Sequence, residues 1–345
     1  MFDDLINLTR LNHPGIPARA LEFFDTRALL ATIDPKSPPR GGLQPRTLGQ
    51  FTAHLPAGLT DKPPGIQEVR RVVNRLCDAG ILFRVGPETG LIGDQTGYLV
   101  PPRTEHEERI AGLADFIAYG FPAVVDTYGP SIVQLVAHYN GDVQGSGTAF
   151  AIQPNALVTA AHCLSDASEL SIVGIPASQL EGARIFLARD RAKDCALIRL
   201  QHDLFSGRKL PHWDEPRLLH DVVLMGYPNI PTLLGTQVTE RANVATVLRG
   251  GIAGSPRDIF KTDLILVTAP ARGGFSGGPI ITDWGGVVGM TARKPEAEAG
   301  DLRYDPTGFA LGIPSGTIRE FLLALASVDP NHVEERNPKS FRWVD

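Results

Sequence analysis

Cysteine is scarce, with three residues, Cys77, Cys163 and Cys195, in a chain of 345. So small and odd a number excludes the disulfide framework of small secreted proteins. Long apolar runs are missing too, so no segment is suited to cross a bilayer as a helix. The opening MFDDLINLTR has neither the basic start nor the apolar stretch of a secretory signal. Together these absences predict a cytoplasmic chain with no membrane partner. Charge of one sign is not in excess either. The formal net charge is −5, which gives no chain-wide footprint for nucleic acid or anionic lipid. None of the histidines His106, His138, His202, His212, His220 and His332 stands at a metal-ligand spacing such as HExxH. Neither metal nor cofactor is expected.

What is present is ordinary globular composition, 43% apolar and 21% charged, over a length that accommodates two domains. From about residue 130 the chain is a series of short β-branched runs separated by Gly, Pro, Asn and Asp: SIVQLVAHY, GTAFAIQ, ALVTAAH, DCALIRL, DVVLMGY, LILVTAP, GGVVGMTA and FALGIP. Such spacing predicts an all-β barrel or sandwich and disfavours βαβ units. The segment SGTIREFLLAL closes the series as a helix, with Ser315 placed to cap it and Ile318, Phe321, Leu322 and Leu325 recurring at helical spacing.

The first hundred residues read differently. ALEFFDTRALLATI and TLGQFTAHL carry helical patterns, and IQEVRRVVNRLCDAGIL is amphipathic, with Ile66, Val69, Val73 and Leu76 on one face and Arg70, Arg71, Asn74 and Arg75 on the other. FRVGPETGLIGDQTGYLV follows as two extended segments about a Gly-rich turn, the pattern of a hairpin. Helix, turn, helix and hairpin over roughly residues 45–101 resemble a winged-helix domain. The expected organisation is a smaller α+β domain at 1–101, a linker helix at 102–121, a β domain at 122–327 and a loose tail at 328–345.

Chemistry concentrates in three motifs: GSGTAFAIQPNALVTAAHCL around His162, KDCALIRL around Asp194 and ARGGFSGGPI around Ser276. A serine hydroxyl needs a base within hydrogen-bond reach to attack a carbonyl. A histidine can be that base, and a carboxylate on its other nitrogen sets the tautomer and stabilises the imidazolium. In this order the three motifs resemble the trypsin and HtrA-type serine proteases, over about residues 122–326. That resemblance implies a mainly β, chymotrypsin-like double six-stranded β-barrel with a C-terminal helix. It implies peptide hydrolysis through His162, Asp194 and Ser276, and an oxyanion hole from the backbone N–H groups of Gly274 and Ser276. It also implies a substrate strand laid beside Met290, Thr291 and Ala292, and a selectivity pocket built from residues 268–272 and 293–307. The substrate-binding candidates are Pro270, Ala271, Arg272, Gly273, Thr291 and Ala292. Pro270 near the pocket base leaves no carboxylate to select Lys or Arg.

Several departures matter. Digestive enzymes of this kind carry an aspartate just before the serine, which pairs with a freshly cut N-terminal amine; here that position is Phe275, so activation by such a cut is not expected. Cys163 lacks the partner cysteine that secreted trypsins carry. The PDZ module that commonly follows an HtrA-type barrel has no room in the remaining chain. The first domain then becomes the expected seat of control, through a protein partner that recruits substrate or switches activity. Nucleic acid along Arg70, Arg71 and Arg75 is the less favoured partner, since residues 1–120 hold 13 Lys+Arg against 14 Asp+Glu. The rival reading is an idle barrel used as a binding module for protein or DNA.

Overall fold

The structure, a computed structural model, describes residues 15–26, 45–55, 64–85, 96–100, 114–139, 143–228, 245–257, 262–271, 273–292, 308–327 and 329–345. Residues divide into two compact units, one at Arg10–Ala123 and one from Val124 to Asp345.

In the first unit, helix α1 (Ile16–Phe23) begins earlier than the periodicity predicts, because Gly15 takes a left-handed conformation and Pro17 presets the first turn. Strand β1 (Arg46–Thr47) leads into α2 (Leu48–His54), which carries the reciprocal Thr47/Gln50 capping box. Helix α3 (Ile66–Asp78) follows, then β2 (Phe83–Val85), β3 (Gly97–Leu99) and α4 (Ala114–Tyr119). The sheet order is β1-β3-β2, antiparallel throughout. The expected hairpin forms, and its turn lies outside the described residues, as does the linker sequence at 101–113. On α3 the buried face is Val69, Val72, Val73 and Leu76; Ile66, in the first turn, is 47% exposed and outside the core. Phe24 and Phe51 are fully buried and stack at 5.3 Å, with Tyr98 at 5.4 Å from Phe24.

Helix α5 (Phe121–Tyr128) spans the division, and the β unit follows. Its first sheet contains β4 (Ile132–Tyr139), β5 (Val143–Gln153), β6 (Ala156–Ala160), β7 (Glu169–Ile172), β8 (Arg184–Ala188) and β9 (Cys195–Arg199) in the order β8-β9-β6-β5-β4-β7. The second contains β10 (His212–Trp213), β11 (Asp221–Gly226), β12 (Thr246–Gly254), β13 (Ile265–Val267), β14 (Pro279–Thr282), β15 (Gly286–Thr291) and β16 (Ala310–Pro314). Pairing runs β15-β14-β11-β12-β13-β16 and returns from β16 to β15, so these six strands close a barrel. Register shifts in β5, β12 and β15 supply the local bends that curve such sheets. All eight β-branched runs of the sequence correspond to strands.

The first sheet is a six-stranded half-barrel, and its edges are occupied. Residues 329–345, expected as a loose tail, supply β17 (Val333–Glu335) antiparallel to β8 and β18 (Arg342–Trp343) parallel to β7. A polar composition points to a loose tail, but the unsatisfied edges of β7 and β8 provide main-chain partners. The closing helix α6 (Ser315–Ala326) is present, yet Ser315 is not its cap: its hydroxyl donates to the Asp214 carbonyl at 2.6 Å, and Pro314 occupies the capping position.

Truncating Phe24 to Ala is expected to cost about 3–5 kcal/mol, because a fully buried ring leaves a cavity that its aromatic neighbours cannot fill. A lower urea midpoint for the first unit at unchanged slope would register this.

Candidate active site

Strands β6 and β9 pair with Ala160 opposite Cys195, so the residues just beyond that register lie side by side. Beyond β6 a short turn, Ala161–Cys163, carries His162; before β9 another, Arg191–Lys193, delivers Asp194. Asp194 is left-handed, at φ 43° and ψ 37°, a region that Asp tolerates better than most residues. That conformation turns its carbonyl to the Ala161 N–H (3.0 Å) and both carboxylate oxygens to His162. Oδ1 accepts from the His162 main-chain N–H at 2.9 Å, and Oδ2 meets the ring Nδ1 at 2.7 Å. Burial disfavours the charged ring, but the hydrogen bonds to Asp194 and to Cys163 Sγ, with the negative charge of Asp194, outweigh it. The imidazole pKa is pushed up to about 10. Cys195, buried beside that carboxylate, has its thiol pKa driven upward by desolvation first and Asp194 second, which makes it a poor nucleophile.

Ser276 sits in the loop before β14, half-buried. Its carbonyl accepts from the Thr148 N–H at 2.8 Å. Thr148, fully buried on β5, also donates its hydroxyl to the Gly274 carbonyl at 2.7 Å and accepts from the Tyr227 N–H at 3.0 Å. Its own carbonyl accepts from Thr159 Oγ1 at 2.7 Å. Gly277, at φ +85°, fits under this network only because it has no side chain, since a Cβ would lie 2.1 Å from the Thr148 carbonyl. Phe275 is 1% exposed and packs in the closed barrel with Val222, Leu224 and Ile280. Gly226 makes room for it, since a Cβ there would come within 2.9 Å of both the Phe275 ring and Thr148 Oγ1. The N–H groups of Gly274 and Ser276 have no acceptor among the described residues, and Gly274 is at φ +97°.

Cys163 brings the two halves together. Its Sγ is 3.7 Å from His162 Nε2 and 3.7 Å from the Ser276 carbonyl. Among the described residues no hydrogen bond joins Ser276 Oγ to His162. In unliganded sites such bonds are often long and tighten only around substrate.

The remaining candidates separate. Pro270 and Gly273 are exposed, Ala271 is part of the barrel core, and Arg272 and the 293–307 loop lie outside the described residues. Thr291 is fully occupied along its main chain: its N–H donates to Gly278 O and its carbonyl accepts from the Gly277 N–H, both at 2.8 Å. It therefore braces the serine loop, and a substrate strand finds no free main-chain group on it. The Ala292 N–H is likewise taken, by the Leu311 carbonyl at 2.9 Å. Arg70, half-buried, and Arg71 and Arg75, exposed, lie on α3 of the other unit. Sequence reasoning missed Thr148 and Thr159, whose β-branched shape reads as plain strand material within GSGTAFAI and ALVTAAH.

Residues 147–290 match the family described as "Trypsin-like peptidase domain". Among curated proteins, the chain is similar to "Serine protease HTR4" of Rattus norvegicus, 28% identical over 75% of this chain and 49% of that protein. It is also similar to "Uncharacterized protein y4bJ" of Sinorhizobium fredii, 29% identical over 53% of this chain and 28% of that protein. It thus spans about half or less of the curated relatives it matches. Among solved structures, the Rv3671c protease from M. tuberculosis in its active form aligns at TM-score 0.43 and 21% identity, over 57% of this chain and 81% of that one. The matched segment runs from β5 of the half-barrel to β15 of the closed barrel and includes the loops that bear His162, Asp194 and Ser276, so this part of the chain is similar to a trypsin-like peptidase domain.

Proposed function

We propose that this protein is a serine endopeptidase that cleaves peptide bonds through an acyl-enzyme, with Ser276 as nucleophile, His162 as general base and then general acid, and Asp194 as the orienting carboxylate. The observation that carries this reading is the double engagement of His162 by Asp194, at 2.9 and 2.7 Å. It fixes the proton of the neutral ring on Nδ1 and leaves the Nε2 lone pair as the basic site. The N–H groups of Gly274 and Ser276, which have no acceptor among the described residues, supply the donors for the developing oxyanion, and losing one such donor costs roughly 10²–10³ in turnover. The first unit is read as the recruiting or regulatory module, docking a protein partner; its helix order and three-stranded sheet fit a winged-helix arrangement. Three free thiols fit a reducing, cytoplasmic setting.

A second reading, an idle barrel that only binds, draws on the absent Ser276–His162 hydrogen bond. Labelling by a fluorophosphonate separates the two. The wild type is expected to label and to hydrolyse casein or a peptide library, and Ser276→Ala to do neither. A wild type that stays unlabelled, with or without candidate partners, decides for the idle barrel.

The base must be neutral to act, and its pKa is raised, so kcat/KM is expected to climb with pH and reach half its plateau above the ordinary histidine value of about 6.5. In Asp194→Asn the raising influence goes while burial, which lowers the pKa, remains. Half-maximal activity then moves to lower pH, and kcat falls by roughly 10⁴. A pH–rate profile of both proteins reads the sign.

Thr148→Val keeps the side-chain shape but leaves the Gly274 carbonyl and the Tyr227 N–H unsatisfied. It is expected to lower kcat roughly 10- to 100-fold with KM little changed. Thr148→Ser, which retains the hydroxyl, should recover most of the rate; steady-state kinetics on one peptide checks both.

A further inference from the structure

The segment after α6 grips the catalytic pair from behind. On one side, β17 lies along β8, the Arg189 N–H donates to the His332 carbonyl and the Arg336 N–H to the Ile185 carbonyl, each at 2.9 Å. Arg191, in the turn that delivers Asp194, pairs with Glu334 at 2.9 Å. On the other side, the Arg342 N–H donates to the Ser168 carbonyl at 3.1 Å, and the Val344 N–H to the Leu170 carbonyl at 2.9 Å. One short stretch thus holds both the chain that leads into Asp194 and the chain that leaves His162.

Arg336 stands at the centre of this grip. It is 8% exposed, a rare state for an arginine unless its donors are used. Its Nη1 donates to the Leu164 carbonyl and its Nη2 to the Ala167 carbonyl, while the ring of Phe341 stacks on the guanidinium at 4.6 Å. Leu164 lies two residues after His162, and the Leu164 and Ser165 N–H groups close back onto the Ala161 carbonyl at 3.0 Å each. The turn bearing the histidine is therefore pinned at its exit by one planar fork that satisfies two carbonyls at once. A lysine, with a single point charge, reproduces this poorly.

We propose that Arg336 is a positioning residue for His162, fixing from the far end of the chain the turn that sets the imidazole against Asp194 and Ser276. The proposal rests on the peptidase reading for its effect on rate, but the His162–Asp194 geometry it controls exists whichever way that reading falls.

Full-length Arg336→Met, Arg336→Lys and Arg184→Ala test it. Arg184→Ala removes an exposed ion pair to Glu335 on the same segment and leaves the carbonyl fork intact. In Arg336→Met, kcat is expected to drop roughly 10- to 100-fold with KM within about two-fold of wild type. The low-field proton resonance of His162 Nδ1–H should broaden or move upfield. Arg336→Lys should show a smaller change in the same direction, and Arg184→Ala none. If Arg336→Met does not fold, the lysine variant carries the test. Wild-type kcat and an unmoved low-field resonance in the folded Arg336 variants overturn the proposal, as does an equal loss in Arg184→Ala. If the wild type neither labels with a fluorophosphonate nor hydrolyses peptide, the peptidase reading fails. The resonance alone then decides on Arg336, a shift supporting its positioning role and an unmoved signal overturning it.

Discussion

Both oxygens of Asp194 are committed to His162, one to its main-chain N–H and one to its ring. A carboxylate can do this only if the histidine's backbone and side chain arrive together, which requires the ends of β6 and β9 to lie in register and the aspartate itself to turn left-handed. Much of the half-barrel follows from that demand. β6 and β9 are interior neighbours in it, almost entirely buried, with Leu157, Val158 and Ile198 at or near zero exposure. Their apolar packing fixes the register against a slip that would turn every side chain to the wrong face. The polar contact is short because the apolar contact beneath it is rigid.

The serine is held by a different kind of force. In the digestive enzymes whose motifs the sequence resembles, an ion pair next to the serine organises its loop; here Phe275 occupies that place and is inserted into the closed barrel. An apolar anchor has no proton to lose and no partner to be released by a cut, so the loop's order depends on core packing and on the hydrogen bonds of Thr148. Those hydrogen bonds cross from the half-barrel to the loop that precedes β14 of the closed barrel, which couples the two sheets at Ser276.

The sequence made the strands legible because each is a compact β-branched run between turn residues, and it made the three loops legible because His162, Asp194 and Ser276 stand in an order that few folds share. What stayed hidden has a common cause. Thr148 looks like any strand threonine until its hydroxyl is seen between two chains, and Thr291 looks like part of a substrate strand until its main chain is found occupied. The edge strands β17 and β18 are polar and short, so nothing in VDPNHVEERNPKSFRWVD marks them as sheet until β7 and β8 are present to pair with. Burial of Arg336 is likewise a tertiary fact, created by carbonyls of Leu164 and Ala167 that lie far away in sequence.

Asp194 and Cys163 raise the His162 pKa against the burial that lowers it. An imidazolium has no lone pair on Nε2 and cannot accept a proton from a serine hydroxyl; a neutral ring can. A hydrogen bond from Ser276 to Nε2 therefore favours the neutral ring and lowers its pKa, by the same rule through which Asp194 raises it. Anything that draws Ser276 toward His162 therefore shifts the ring toward its neutral form. Cys163 Sγ lies 3.7 Å from both Nε2 and the Ser276 carbonyl. His162 is thus held by both oxygens of Asp194, and the Ser276 loop by the hydroxyl and main chain of Thr148.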